Sequence, residues 1–224
     1  MSSVLQGIDL SKHFEGAFSS VLNKVCFSIS AGEKVGLLGP SGTGKSTLLH
    51  ILSGVEVPDK GWVELDGQNL SRLSPEKLLD LRKFATGTIF QFFHLLPTLS
   101  AYENAEMSLL LNGVSEKKRR SRVEPLFERL EIKNRMFANP SEMSGGELQR
   151  VAIIRAIAHK PKVIFADEPT GNLDQETGDL VLNCLSELCS EENIALVMVT
   201  HSRQAASICD RVMRLEHGEL KITI

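Results

Sequence analysis

The alternation of apolar and polar positions predicts two kinds of strand in this chain. Near the N-terminus, Val25, Phe27 and Ile29 alternate with polar residues, as in a strand with one buried face, and residues 61–67 predict a further strand that ends in an Asp-Gly turn. We expect these segments to form an antiparallel sheet. A second group consists of short, largely apolar runs that are typical of strands buried on both faces: 35–38, 87–90, 163–166 and 195–200.

The region between residue 91 and about residue 160 has a helical pattern instead. We predict one helix at 102–111, a second from about Ser115, and a third from Ser144 to about His159. Pro125 falls inside the second helix, where it should either begin a new helix or kink the existing one.

A glycine-rich segment at 39–47 separates the first buried strand from a helical pattern that ends near Gly54. It fits the Gly-x4-Gly-Lys-Ser/Thr pattern of phosphate-binding loops, in which backbone N–H groups and a helix N-terminus converge on phosphate oxygens. Lys45 can reach the β- and γ-phosphates, and the Ser46 hydroxyl can bind Mg²⁺. The sequence therefore predicts a nucleoside triphosphate site formed by Gly39, Pro40, Ser41, Gly42, Thr43, Gly44, Lys45, Ser46 and Thr47.

Each of the other three buried strands runs into a polar residue: Gln91, the pair Asp167 and Glu168, or His201. Because ligands of open α/β sheets bind beyond the carboxyl ends of the strands, these side chains should converge on the phosphate loop. Asp167 would hold Mg²⁺ and Glu168 would act as a base on the attacking water. Gln91 could reach Mg²⁺ or orient that water, and His201 could bind the γ-phosphate or the base.

The segment Ser144-Gly145-Gly146-Glu147 allows two interpretations. Ser-x-x-Glu before an apolar run is a capping box, which begins a helix. Two glycines in a first helical turn are costly for a cap alone, and they leave N–H groups free to bind an anion. One phosphate loop and one unpaired anion site in a chain suggest a dimer that completes two sites reciprocally.

Taken in order, these motifs resemble the ATP-binding cassette family, the ATPase subunits of ABC transporters. The resemblance implies an α/β fold: a P-loop NTPase (RecA-like) core with a mostly parallel sheet, a flanking antiparallel β-subdomain and an inserted α-helical subdomain. We predict one domain over residues 1–224, with the core and β-subdomain at 1–92 and 160–224 and the helical subdomain at 93–159.

The resemblance also implies a role for each motif residue, with ATP and Mg²⁺ as cofactors. Lys45 would bind phosphate, Glu168 would be the general base and His201 the switch histidine. Two departures from the usual family signature are Met143 in place of Leu and Glu147 in place of Gln. Ser46, Gln91 and Asp167 would bind Mg²⁺, and Phe14 would stack on adenine. At the dimer interface, Asp174 would lie in the loop that crosses to the other subunit. The γ-phosphate bound by that opposite subunit would be contacted by Ser144, Gly145, Gly146 and Glu147.

Within the family, residues 90–104 and 168–174 are similar to the branch of lipoprotein-releasing, macrolide-export and cell-division cassettes. This similarity implies an ATP-dependent homodimer at the cytoplasmic face of the inner membrane, with a separate polytopic permease docked near Gln91–Asn104. Phe92 and Leu96 belong to an apolar group in that segment, and such a group suits an inserted partner helix.

The overall charge and the cysteines indicate which partners and which compartment suit the chain. The net charge of −3 predicts no nucleic acid partner, and the basic run 117–120 is typical of a solvated helix face. The four cysteines lack metal-ligand spacing and indicate small buried side chains in a reducing compartment. Two alternative functions stay open. One is a cassette ATPase of DNA repair or translation. The other is a small-molecule kinase, but a kinase would have no use for segments 144–147 and 172–174.

Overall fold

The computed structural model describes residues 3–14 and 20–223, which form two sheets and the helices around them. A four-stranded antiparallel sheet has the order β2-β1-β4-β5, and a six-stranded sheet has the order β10-β9-β3-β8-β7-β6. The strands are β1 (Ser3–Lys12), β2 (Leu22–Ser30), β3 (Lys34–Leu38), β4 (Lys60–Leu65), β5 (Gln68–Asn69), β6 (Thr86–Ile89), β7 (Val163–Asp167), β8 (Ala195–Val199), β9 (Arg211–Glu216) and β10 (Glu219–Ile222).

The predicted antiparallel sheet is present. Val25, Phe27 and Ile29 are buried on one face of β2, while their polar neighbours are exposed on the other. The turn between β4 and β5 places Asp66 and Gly67 at φ values of 50° and 76°. Two consecutive left-handed residues are what a tight Asp-Gly hairpin turn requires.

The four apolar runs form adjacent parallel strands in the larger sheet, in the order β3-β8-β7-β6. Their registers align the carboxyl ends: Val199 lies opposite both Leu37 and Asp167, and Ile89 lies opposite Ala166. All residues that follow these strands therefore emerge at one edge of the sheet, as the sequence predicted.

The helices are α1 (Lys45–Leu52), α2 (Pro75–Ala85), α3 (Ala101–Leu111), α4 (Glu116–Arg129), α5 (Gly145–Ile157) and α6 (Gln175–Glu191). Helices α3, α4 and α5 lie between β6 and β7 in the chain and pack on one another. Among the helices described, none is long and apolar enough to cross a membrane.

Two hydrophobic clusters cover the two faces of the parallel sheet. Phe165 and Val197 belong to a cluster that joins this sheet to α1 and to the antiparallel sheet. Ala166 and Met198 point to the opposite face and join a cluster built with α3, α4, α5 and α6. Because strands β7 and β8 are covered on both faces, they need apolar side chains at every position.

Pro125 does not begin a new helix, because α4 runs through it without interruption. Both Pro125 and Ser121, whose carbonyl loses its helical N–H partner to the proline, lie on the exposed face. Water can therefore satisfy that carbonyl. The prediction of four buried cysteines holds for Cys189 only. Cys184 and Cys209 are half-buried, and Cys26 is exposed on the outer face of β2.

Candidate functional site

The phosphate loop connects the end of β3 to the start of α1. Gly44 is the residue before α1 and has a left-handed φ of 96°. A Cβ atom at this position would overlap the side chain of Val21, so glycine is required both for the backbone conformation and for the space. Val21 also donates its N–H to the Lys12 carbonyl at 2.8 Å, which links the end of β1 to the residue that abuts the loop.

The Lys45 side chain is buried and folds back along the loop. Its ammonium group donates hydrogen bonds of 2.8 Å to the carbonyl oxygens of Gly39 and Pro40. The Thr43 hydroxyl donates to the same Pro40 carbonyl at 2.9 Å. The loop therefore holds a single positive charge at the N-terminus of α1, where the helix dipole also favours an anion.

Ser46 and Asp167 approach each other from α1 and β7. The Ser46 hydroxyl donates to a carboxylate oxygen of Asp167 at 3.3 Å. Burial raises the pKa of Asp167, and the hydrogen bond from Ser46 opposes that effect. A partly desolvated carboxylate beside a hydroxyl at the phosphate loop is a pair of oxygen ligands of the type that Mg²⁺ prefers.

Glu168 and His201 form the second pair at the carboxyl edge. The Nδ1 atom of His201 lies 2.9 Å from Oε2 of Glu168. The Glu168 backbone has a left-handed φ of 45°, which is uncommon for a residue other than glycine. It is held there by a hydrogen bond from its N–H to the Val199 carbonyl at 2.9 Å and by one from the Gly171 N–H to its own carbonyl at 3.0 Å.

Gln91 reaches the same edge through Asn172, which lies in the 172–174 segment but was given no role of its own by the sequence. The Asn172 amide donates to the Gln91 carbonyl at 2.9 Å, and the Gln91 amide donates to the Asn172 side-chain oxygen at 3.4 Å. A Cβ atom at Gly171 would lie 2.8 Å from Gln91 Nε2 and 3.2 Å from Glu168 Oε2. Gln91 Nε2 and Glu168 Oε2 therefore both border the space that a side chain at position 171 would occupy.

The segment 144–147 forms a complete capping box at the start of α5. The Ser144 hydroxyl accepts the Glu147 N–H, and the Glu147 carboxylate accepts the Ser144 N–H at 2.8 Å. The other Glu147 oxygen accepts from Arg135 at 2.8 Å. Burial acts to raise the pKa of Glu147, but the hydrogen bonds from Arg135 and Ser144 outweigh it and hold the pKa below its usual value. The Glu147 carboxylate is thus engaged within its own chain.

The two glycines of this segment are required by packing as well. A Cβ atom at Gly146 would overlap the methyl group of Thr177 on α6. One at Gly145 would lie 3.2 Å from Leu173 and 3.7 Å from the ring of Phe93. The start of α5 therefore packs on the segment before α6 and on the segment that follows Gln91.

Asp174 and Phe14 lie at two further edges of the site. Asp174 caps α6 by accepting the Thr177 N–H at 3.0 Å, and this hydrogen bond holds the pKa of Asp174 below its usual value. The exposed Phe14 ring lies beneath the Lys12 ammonium group, which is 5.3 Å from its centroid. Lys12 also accepts a hydrogen bond from the N–H of Val21, the residue whose side chain abuts Gly44 of the phosphate loop.

The segment after Gln91 is anchored by two residues that the sequence did not indicate. Asn104 is buried on α3 and its side chain exchanges hydrogen bonds with the backbone of Leu96, with further donation to Leu99 and Ser100. Arg155 on α5 donates to the carbonyls of Phe93 and His94 at 2.7 Å and 2.5 Å. Between these anchors, Phe92 and Leu96 keep 68% and 49% of their surface exposed.

A glycine loop between a buried strand and a helix, with a lysine, a hydroxyl and two strand-end carboxylates around it, defines a nucleotide-binding ATPase of the P-loop class. The chain belongs to the ABC transporter family, whose model matches residues 22–171, and within it the chain is an ATP-binding subunit that hydrolyses ATP.

Two relatives match nearly the whole chain. The lipoprotein-releasing system ATP-binding protein LolD 2 of Caulobacter vibrioides is 43% identical over 97% of this chain and 96% of its own length. The uncharacterized ABC transporter ATP-binding protein YbbA of Escherichia coli K12 is 45% identical over 90% and 89%. The predicted resemblance to the branch of lipoprotein-releasing cassettes is confirmed.

Solved structures agree with the predicted fold class. A dimeric, post-hydrolysis structure of the ATP-binding cassette MJ0796, bound to ADP and Pi, has a TM-score of 0.87 and 34% sequence identity, with 96% of each chain covered. A second dimeric structure of MJ0796, described as a bacterial ABC transporter cassette, matches equally well. The fold is therefore that of an ABC ATPase cassette.

Proposed function

We propose that two pairs of residues at the carboxyl edge of the sheet have separate roles in ATP hydrolysis: Ser46 with Asp167, and Glu168 with His201. Lys45 and the loop N–H groups bind the phosphates, and Phe14 stacks on adenine. Glu168 takes a proton from the attacking water, and His201 orients that carboxylate through its hydrogen bond. The observation that carries this assignment is the 2.9 Å contact between His201 and Glu168 beside the phosphate loop.

The residues at the loop fit Mg²⁺ as a cofactor. Ser46 and Asp167 already lie within hydrogen-bond distance of each other, and the amide of Gln91 supplies a further oxygen ligand near the same edge. No cluster of three or more His, Cys, Asp or Glu side chains that could hold a metal occurs in the described part of the chain. This composition suits Mg²⁺, which binds few protein ligands and completes its shell with phosphate oxygens and water. When bound, the ion would neutralise charge on the phosphates.

We further propose that ATP joins two copies of the chain. Ser144 is exposed at the N-terminus of α5, where the first N–H groups have no helical acceptor. Its described contacts run to Glu147 and not to the phosphate loop of the same chain, so an anion there would come from a second copy. Asp174 lies on the neighbouring segment and would cross the same interface. Glu147 supports this surface as part of the capping box.

A light-scattering experiment tests this reciprocal site. Glu168→Gln should retain ATP and accumulate as a dimer that is absent without nucleotide. Adding Ser144→Arg should weaken that dimer while leaving ATP binding by the single chain intact. A molar mass that does not change with ATP would contradict the proposal.

The segment that follows Gln91 is the proposed contact with a membrane partner. The exposed side chains of Phe92 and Leu96 lie in a segment whose first residue, Gln91, contacts the catalytic edge. This segment is therefore placed to report the nucleotide state to a bound protein. Since relatives are named for a lipoprotein-releasing system, we propose that the chain drives lipoprotein release, or a related export, from the cytoplasmic face of the inner membrane.

Co-purification with a polytopic membrane subunit from detergent-solubilised membranes tests the docking surface. Leu96→Ser should reduce the amount of chain recovered with that subunit from detergent. Leu180→Ser is a matched control, because Leu180 is similarly exposed, at 56%, on α6. Recovery of the chain from the soluble fraction alone would favour a cassette ATPase that is not coupled to transport.

A further inference from the structure

A cavity of about 780 Å³ lies beside the phosphate loop, between that loop, the segment that follows β8, and β9. This volume is within the range of about 300–1,000 Å³ that is usual for the sites of small organic ligands. Pro40 of the loop and His201 border the cavity, whereas Lys45 and Glu168 are not among the described residues that line it. The cavity is therefore a neighbour of the nucleotide site and not a part of it.

The cavity exists because the short helical turn Ala205–Ile208 covers only part of the sheet. A Cβ atom at Gly36 would lie 3.3 Å from Sγ of Cys209, so the end of this turn packs closely on β3 at that position. Leu38 is two residues further along β3 and faces the same side of the sheet. It is only half-buried and lines the cavity, because the turn does not extend over it.

The floor of the cavity is an apolar stretch of the sheet that ends at a charged side chain. In the register of β3 and β9, Gly36 lies opposite Val212 and Leu38 lies opposite Arg214. Val212 is buried, while the Arg214 side chain is exposed. An apolar group in the cavity would thus rest on Leu38 and Val212, next to a guanidinium group.

The charged groups that border the cavity are basic. Arg214 forms an ion pair with Glu216 at 2.7 Å, but both side chains are exposed, and such pairs contribute little. Arg203 also lines the cavity, and within the described part of the chain it forms no ion pair. No Asp or Glu occurs among the described lining residues, although the net charge of the chain is −3. The positive charge of this cavity therefore lacks a counter-charge in the lining.

We infer that this cavity binds a small organic anion, with its apolar body on Leu38 and Val212 and a carboxylate or phosphate group at Arg203 and Arg214. Guanidinium groups suit these anions because they can donate two parallel hydrogen bonds to them. An inorganic anion would use the charges alone and would leave the apolar floor in contact with water. The combination of floor and charges therefore favours a ligand that has both parts.

His201 connects the cavity to the catalytic edge. Its ring lines the cavity, and its Nδ1 atom lies 2.9 Å from Oε2 of Glu168. A neutral imidazole has one N–H donor, so a ring that donates to an anion in the cavity can no longer donate to Glu168. A bound anion should therefore slow ATP hydrolysis with little effect on ATP affinity. This consequence rests on the role proposed for His201, whereas the binding itself does not.

Binding is tested with the fluorescent anion 1-anilinonaphthalene-8-sulfonate, which has an apolar body, on the native chain without nucleotide. Arg203→Gln and Arg214→Gln should each weaken its binding about 10-fold, as expected for the loss of a hydrogen bond to a charged group. Ser207→Trp, at an exposed position of the lining, should abolish binding by filling the cavity. Arg120→Gln is the matched control, because Arg120 is exposed and pairs with Glu124 on its own helix, as Arg214 does with Glu216 on its own strand.

Competition shows which parts of the ligand matter. Decanoate, which carries a carboxylate on an alkyl chain, should displace the fluorescent anion. Decanol and inorganic phosphate each have only one of the two features and should not displace it at the same concentration. ADP should not displace it either, because the cavity is not the nucleotide site. Displacement by ADP, equal displacement by decanol or phosphate, or unchanged binding in the three cavity variants would overturn the inference.

Phosphate release measures the effect on catalysis. Decanoate should lower the maximal turnover of the native chain without changing the ATP concentration at half-maximal rate, and decanol should not. Arg203→Gln should have normal turnover without decanoate and should need about 10 times more decanoate for the same inhibition.

The outcomes separate this inference from the proposed function. If the fluorescent anion binds as expected but turnover does not respond to decanoate, the site stands and the coupling through His201 is wrong. If binding does not depend on the cavity residues, the inference is wrong and the proposed function stands.

Discussion

His201 and Glu168 lie 33 positions apart in the sequence, yet Nδ1 of one is 2.9 Å from Oε2 of the other. The contact exists because the two residues follow β8 and β7, which are adjacent parallel strands in register. The His201 ring can therefore orient the Glu168 carboxylate at the phosphate loop, although the two residues lie in segments that are distant in the sequence.

Replacing Glu168 by Gln should slow ATP hydrolysis by about 10²- to 10⁴-fold while ATP binding is retained. The amide keeps the shape and the contact with His201, but it cannot accept the proton of the attacking water. Phosphate release measures turnover, and a fluorescent ATP analogue measures affinity. Glu219→Gln is the control, since Glu219 is exposed on β10. Normal turnover of Glu168→Gln would assign the base elsewhere.

Lys45→Ala should weaken ATP binding about 10- to 150-fold, the equivalent of a lost hydrogen bond to a charged group. Turnover should fall by at least about 100-fold, since a preorganised donor to the transferring phosphate is lost. Titration calorimetry with ATP measures the first effect and phosphate release the second. Lys60→Ala, at an exposed position, should leave both unchanged. Unchanged turnover in Lys45→Ala would mean that residues 39–47 do not hold the phosphates.

Gly146→Ala should destabilise the chain by about 1–3 kcal/mol, because the new methyl group would overlap Thr177. Thr177→Ser removes the methyl group that is in the way, so the double variant should recover most of the lost stability. Thermal unfolding of the two single variants and the double variant gives the coupling energy. Additive losses would show that the glycine is needed for another reason, such as a free backbone N–H group.

Asp167→Asn should stabilise the chain against unfolding at neutral pH in the absence of nucleotide. Because burial raises the pKa of Asp167 in the folded state, its ionised form opposes folding at pH values above its ordinary pKa of about 4. Because the amide has no such charge, the free energy of unfolding should rise by about 0.5–2 kcal/mol, which is typical of a single stabilising substitution.

The pH dependence checks the cause of that gain. The carboxyl becomes neutral in both variant and native chain as the pH falls to about 4, so the difference in denaturant midpoint should shrink there. ATP turnover should be lost at every pH. A gain that is the same at pH 7 and pH 4 would mean that charge burial is not its source.

Much of the site could be predicted because its residues follow apolar strands. The runs before Asp167 and His201 are buried on both faces, whereas Thr86 and Thr88 of the edge strand β6 are only partly buried. The three strands are parallel neighbours, so their carboxyl ends lie together. The positions of these residues relative to the phosphate loop therefore follow from hydrophobicity alone. Their chemical roles, which both the residue types and the family resemblance indicate, stay predictions.

Other contacts could not be predicted, because they depend on how separate helices pack. Asn104 is a polar residue inside a helical pattern, and nothing local indicates that it binds the backbone of Leu96. The sequence explains Gly146 by N–H groups that are free to bind an anion, whereas the close approach of Thr177 on α6 also requires a glycine there. The exposure of Cys26 likewise follows from the sheet face it occupies.

The contacts of Asn172 and Asn104 leave a very short free length of chain between the catalytic edge and α3. Gln91 is tied at one end and Leu96 at the other, and Arg155 holds the carbonyls of Phe93 and His94 between them. The backbone of Phe93 and His94 is turned and not extended, so the segment can lengthen only if the hydrogen bonds from Arg155 break. A shift of α3 must therefore either break those hydrogen bonds or move Gln91, and the integrity of these few hydrogen bonds decides whether a movement of the helix reaches the nucleotide.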